Sequence, residues 1–164
     1  MTNSTPSKDT VAAWARLMRV QQVLLANVEA ELKTAGFPPL AWYDALLELS
    51  RLADGKMRPL DLEKSMLFPQ YGMSRLIDRM ERAGLVAREA CPGDGRGQMV
   101  AITAAGRALQ KKMWPAYAAS IERHIGAKIS SDEARRLEGL LRKIVECPTT
   151  LAACSGDAPR KRRN

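Results

Sequence analysis

Between Met73 and Thr103 the apolar residues change their spacing, and that change limits what the chain can fold into. Met73, Leu76, Ile77 and Met80 step by three and four, as on one face of a helix. Gly84 then supplies a C-terminal cap, and Leu85 the hydrophobic contact that follows one. Residues 85–90 read as a short strand, 91–97 (CPGDGRG) as a Gly-rich turn with a charged tip, and 98–103 as a return strand. Thr103 is suited to cap a new helix directly afterwards. One hairpin set between helical segments predicts a mainly α fold with a small β-hairpin (α+β).

The flanking segments fit this reading. Residues 1–9 read as a disordered arm, with Asp9 or Thr10 as the first cap. Residues 11–33 are helical in pattern: Val11, Trp14, Met18, Gln21, Leu25, Val28 and Leu32 form a seam longer than internal packing requires, so part of it is expected to face a partner helix. Gly36 and Pro38-Pro39 end it. A second helix spans 40–53, and a short third runs from Pro59, a favoured first helical position, to about Met66. Residues 104–128 read as a long helix with a bend at Pro115. Ser130-Ser131-Asp132-Glu133 fits a capping box, opening a last helix with its stripe at Ala134, Leu137, Leu141 and Ile144. Cys147-Pro148 stops that helix, and residues 148–164 form a flexible basic tail.

Charge and composition narrow the function classes. The net charge of +8 favours a polyanionic partner, because a cation near a phosphate releases a condensed counterion. The excess lies toward the C-terminus: residues 104–147 carry +4 and 150–164 carry +3, against +2 for 51–96. Three widely spaced cysteines (Cys91, Cys147, Cys154) make no disulfide framework, and with His124 as the one histidine they make no structural zinc site. No apolar run approaches the length of a membrane span, so the expectation is a cytoplasmic protein without a membrane partner. A lone His124 offers no nucleophile–base–orienter constellation, so no enzyme, no cofactor and no metal are expected.

A short helix, a break at Phe68-Pro69-Gln70 and an amphipathic helix with Arg75, Arg79 and Arg82 outside read as a helix-turn-helix, and the hairpin as its wing. A helix fits the major groove of B-DNA, while an Arg on a Gly-rich tip suits the narrower minor groove. Asp78 and Glu81 beside the three arginines suggest ion pairs within the helix.

The run from Met73 to Val86 resembles the recognition helix and exit of the MarR family, and Asp94-Gly95-Arg96, Val100 to Thr103 and Ala105-Gly106-Arg107 resemble its wing and fifth helix. The resemblance covers residues 10–147 as a single domain, with the winged helix-turn-helix at about 38–103 and dimerisation helices at about 10–35 and 104–147. It implies a homodimer that binds a palindromic operator in double-stranded DNA, usually as a repressor relieved by a small ligand. Carried over by position, Gln70, Tyr71, Ser74 and Arg75 contact bases and nearby phosphates, Arg96 enters the minor groove, and Asp94 positions the wing. Arg79 and Arg82 are candidates for phosphate contact or internal pairing. The resemblance further implies an aromatic or phenolic effector between the DNA-binding and dimer lobes, for which Trp14, Arg16, Trp42, Asp44 and His124 are candidates. Two residues depart from the pattern: Pro69 stands where a small hydroxyl residue commonly caps the recognition helix, and Glu63 where Ala is usual.

Two other readings stay open at this level. Oxidation of Cys91 at the base of the wing would reposition Arg96, making a thiol-based redox sensor. The modest charge of 51–96 also allows an interaction module that has lost DNA binding.

Overall fold

The computed structural model describes residues 5–67, 72–91 and 94–145, with backbone alone for 91 and 94–96. Its elements run α1 (Lys8–Thr34), α2 (Leu40–Ser50), β1 (Lys56–Met57), α3 (Pro59–Ser65), α4 (Met73–Arg82), β2 (Val86–Cys91), β3 (Asp94–Ile102), α5 (Ala104–Ile121), a π-helical turn (Glu122–Gly126) and α6 (Ser131–Val145). The chain divides into two compact units, Met1–Lys128 and Ile129–Asn164.

The first unit holds two apolar clusters joined by α2. Ala45, Leu46 and Leu49 of α2 meet Leu62, Met66, Met73, Leu76, Ile77, Met80, Val86 and Val100, so the helix-turn-helix and the sheet share one core. Leu40 and Tyr43 of the same helix pack with Val28, Leu32 and Met113 in the other. Each Leu, Ile, Val or Met among them contributes about 1.5–3 kcal/mol when fully buried. The expected α4 stripe of Met73, Leu76, Ile77 and Met80 is buried along its whole length. Gly84 at φ 71 ends the helix, where Leu85 N donates to Met80 O at 2.9 Å and Gly84 N to Glu81 O at 2.8 Å.

The three strands form an antiparallel sheet in the order β1-β3-β2. Strand β1 has no counterpart in the sequence reading, because two residues carry no periodicity. It pairs Lys56 with Ala101 and Met57 with Val100 after a tight turn at Gly55.

Several boundaries differ from expectation. Helix α1 begins at Lys8, inside the predicted disordered arm, because Ser7 rather than Asp9 or Thr10 is the cap: its hydroxyl accepts from Thr10 N at 3.1 Å. Helix α2 stops at Ser50, three residues early, where the chain tightens into a turn with Leu52 N bonded to Leu49 O. Strand β3 starts at Asp94, so most of the predicted Gly-rich turn is strand, and the register with β2 shifts between Ala90 and Cys91. Helix α4 starts at Met73 on Gly72, whose φ of 90 lies in the left-handed region, with no side-chain cap. Helix α5 runs through Pro115 and gives way to the π-helical turn after Ile121, short of the predicted end at 128.

In the second unit, Ser130 N donates to Glu133 Oε2 at 2.8 Å and Glu133 N to Ser130 Oγ at 3.3 Å, the capping box anticipated for α6. The basic tail and Cys147 and Cys154 lie outside the described residues.

Candidate nucleic-acid interface

Helices α3 and α4 are short, and both bury one stripe in the core beneath α2, which leaves the outer face of α4 to solvent. Ser74 and Arg75, in its first turn, are exposed. Gly72 supplies no side-chain cap to α4, and Arg75 N and Leu76 N donate to its carbonyl at 2.9 and 3.2 Å. Gln70 and Tyr71 lie outside the described residues, as does Pro69. Asp94 and Arg96 belong to β3, one on either side of Gly95.

The basic residues of α4 have separate fates. The Arg79 guanidinium lies 5.7 Å from the centre of the Trp42 ring, a cation–π contact that ties α4 back to α2. Arg82 Nε donates to the Asp78 carbonyl at 3.2 Å. Asp78 and Glu81 do not pair with the α4 arginines, as their sequence neighbourhood suggested. Their partner is Arg88 on β2, which spans both: Nη2 donates to Asp78 Oδ1 at 2.5 Å, Nη1 donates to Glu81 Oε2, and the Arg88 backbone N–H donates to Glu81 Oε1 at 3.1 Å. Asp78, and after it Glu81, hold the guanidinium in its charged form against the cost of partial burial. Glu63 is exposed and makes no ion pair with a described residue. On the sheet, Lys56 pairs with Glu89, whose carboxylate raises the ammonium's pKa.

The five effector candidates are not gathered by the fold within one chain. Trp14 is 64% exposed on the N-terminal half of α1, and Arg16 is exposed beside it. Trp42 is engaged with Arg79, and the buried Asp44 accepts a 2.7 Å hydrogen bond from Leu67 N at the end of the α3 connection. His124 sits in the π-helical turn with Nε2 2.9 Å from Glu31 Oε1 and Nδ1 3.5 Å from Asn27 Nδ2. Glu31 also accepts from Arg123 Nη1 at 2.7 Å. The buried Ser120 hydroxyl, which has no hydrogen bond of regular geometry, still leads His124 and Arg123 in holding the Glu31 carboxyl down at about 2. Beside this cluster a groove of 390 Å³ runs between Ala30, Thr34 and Ala35 of the first helix region and Ala116, Ala119 and Arg123.

A group of three aromatic side chains lies between α2 and α5. Tyr43 stacks on Trp114 with centroids 6.3 Å apart and meets Tyr117 edge-on at 5.1 Å, while Gln110 Nε2 donates to the Tyr43 hydroxyl at 3.3 Å. Burial, and then the nearby Asp44 charge, raise the Tyr117 phenol pKa. Among the described residues no group of three His, Cys, Asp or Glu could hold a metal, and no helix is long and apolar enough to cross a membrane.

A short helix, a recognition-type helix and an antiparallel hairpin on one core match known proteins. The model of the MarR family matches residues 35–97, from the end of α1 through the wing. The crystal structure of AbsC, a MarR family transcriptional regulator from Streptomyces coelicolor, superposes with a TM-score of 0.75 at 28% identity, over 88% of this chain and 97% of that one. The chain is similar to MarR-family regulators over this region. Sco3205, a MarR family transcriptional regulator from the same organism solved in complex with DNA, shares the fold with a TM-score of 0.78 at 20% identity, over 87% of this chain and 89% of its own. The multiple antibiotic resistance protein MarR of Escherichia coli K12 is 28% identical over 87 residues, 53% of this chain and 60% of that protein. The match therefore spans about three fifths of that relative's length.

Arg88 and Glu31 escaped the sequence reading for different reasons. Arg88 was visible as a strand residue with the same facing as Val86, and Asp78 and Glu81 as a pair one turn apart, so spacing alone held a signal. Glu31 meets Ser120, Arg123 and His124 some ninety positions away, and nothing local marks that meeting.

Proposed function

We propose that this chain is a MarR-family transcription regulator that binds double-stranded DNA as a homodimer and represses from a palindromic operator. The observation that carries the reading is the exposure of Ser74 and Arg75 in the N-terminal turn of α4, on one shared core with the β2–β3 hairpin, where Glu89, Ala90 and Gln98 are exposed. A recognition helix enters a major groove by its first turns, and a wing reaches the neighbouring backbone or minor groove. In this reading Gln70, Tyr71, Ser74 and Arg75 read the major groove, Arg96 the minor groove, and Asp94 orients the wing.

Dimerisation is supported by apolar surface that one chain leaves uncovered. Helix α1 is about 40 Å long by its residue count, yet its buried residues are only Val28 and Leu32, near its C-terminal end. Val11, Trp14 and Val23 of α1, and Leu137, Leu140, Ile144 and Val145 of α6, are exposed. Two copies would set their recognition helices about one DNA turn apart, roughly 34 Å, which is why a palindrome is the matching site. The Tyr43–Trp114–Tyr117 group supports a small aromatic or phenolic effector, which weakens DNA binding by coupling of about 1–3 kcal/mol.

The test is a fluorescence anisotropy titration of the purified protein with duplex carrying the gene's own upstream region, alongside sedimentation velocity. The expected result is a dimer that prefers this duplex to a scrambled one of equal length. A monomer, or a protein that ignores every duplex at low ionic strength, refutes the proposal.

A further inference from the structure

The wing meets the recognition helix through a small number of groups. Along β2, side chains alternate, so Arg88 shares the face of Val86, which is 2% exposed and lies in the core under α4. Arg88 pairs in register with Val100, which places it at the stem of the hairpin, short of the tip residues Cys91 and Asp94. Its guanidinium forks across Asp78 and Glu81, which stand three apart on one side of α4, and its backbone N–H adds a bond to Glu81.

We infer that Arg88 is a positioning residue of the DNA-reading surface: it fixes the angle between the wing and α4 without touching DNA, using Asp78 and Glu81 as its two anchor points. This rests on the DNA-binding reading above. The physical reason is leverage. Beyond the Met57–Val100–Arg88 row only β2 and β3 continue, a two-stranded ribbon that is marginal by itself, and Cys91 lies three residues, or roughly 10 Å, beyond Arg88 at the usual strand rise. A rotation of about 10° at the stem therefore moves the tip by about 2 Å, enough to break contacts that need placement within a fraction of an ångström. The fork demands arginine: five donors in one plane serve two carboxylates at once, whereas a lysine is a single mobile point charge. It also keeps the two carboxylates of α4 occupied beside a face meant for phosphates.

The test measures affinity for the upstream duplex at one fixed ionic strength in four proteins: wild type, Arg88→Ala, Asp78→Ala/Glu81→Ala, and the triple variant. Arg88→Ala is expected to weaken binding about tenfold in the wild-type background. It should change binding by less than about twofold where both acids are already gone, because its only route of action has been removed. The double acid variant should itself bind more weakly than wild type. In the free protein, hydrogen exchange of the amides of β2 should speed up in Arg88→Ala and in Arg88→Lys, while those of α2 stay protected. If Arg88→Ala does not fold, Arg88→Met keeps the apolar stem and takes its place.

Equal losses in both backgrounds would make Arg88 a direct phosphate contact and overturn the inference. So would no loss at all, or tighter binding by the double acid variant, which would mean that the acids only repel DNA. Wild-type protein that binds no duplex ends the DNA reading, and this inference falls with it. Wild-type binding with Arg88→Ala unaffected ends this inference alone.

Discussion

Gly106 should be the costliest glycine to replace. It lies in the first turn of α5, buried, where a Cβ would stand 2.2 Å from Leu85 O, 2.9 Å from Ile102 Cγ1 and 3.0 Å from Leu46 Cδ2. Leu85 O is backbone and is already in use, accepting from Thr103 N at 3.0 Å. Two effects oppose each other in Gly106→Ala. Helix propensity and the loss of freedom in the unfolded chain favour alanine by about 1 kcal/mol. Overpacking costs about 1–3 kcal/mol, and the upper end applies here because the nearest atom cannot rotate away. The net expectation is destabilisation by about 2 kcal/mol, or a Tm lowered by about 4–8 °C for a chain of this size. Urea unfolding followed by far-ultraviolet circular dichroism, at one protein concentration, measures it. Gly139→Ala on α6, where nothing lies within 4 Å of the new Cβ, is the control. It should stabilise by up to about 1 kcal/mol. A Gly106→Ala protein as stable as wild type would show that α5 slides freely against Leu85, and the close-approach reasoning would be wrong.

Other expectations can be checked in the same way. Thr103→Ala removes the cap bond from Gly106 N at 3.0 Å and the hydroxyl's own bond to Gly84 O at 2.7 Å. It should cost about 1–2 kcal/mol in a urea titration, and a null result would mean that solvent replaces both bonds. Glu31 is held at about 2 against an ordinary 4.5, so its contribution to stability is complete above about pH 5 and is lost as pH falls toward 2. Acid titration should therefore show Glu31→Gln losing less stability than wild type across that window; parallel curves would refute it. Arg96→Ala should weaken DNA binding and flatten the dependence of log K on log salt by up to about 0.9, the share of one phosphate contact. An unchanged slope and affinity would remove Arg96 from the interface.

The residues from Met73 to Thr103 made much of the fold legible because each of their signals is local. The α4 stripe is a run of i, i+3, i+4 spacings, Gly84 is needed where φ is positive, and Thr103 caps the helix that starts one residue later. The Ser130–Glu133 box was readable for the same reason. The boundary errors came from competition between near-equivalent signals. Ser7, Asp9 and Thr10 are all acceptable caps, and Gly95 and Gly97 suit a turn as well as a twisted strand. On the candidate site, the sequence marked out α4 and the hairpin as elements, but it could not say what each arginine would meet.

Sequence alone determined which segments bury a face and roughly where the elements lie, since propensity, capping and periodicity act within a few residues of their source. Tertiary structure alone decided the partners. Arg79 lies over Trp42, Arg88 bridges to Asp78 and Glu81, and Glu31 gathers Ser120, Arg123 and His124, through contacts between elements that chain proximity does not encode. Side-chain charges act over a few ångströms in space, so an arginine's role follows from the residues folding brings beside it.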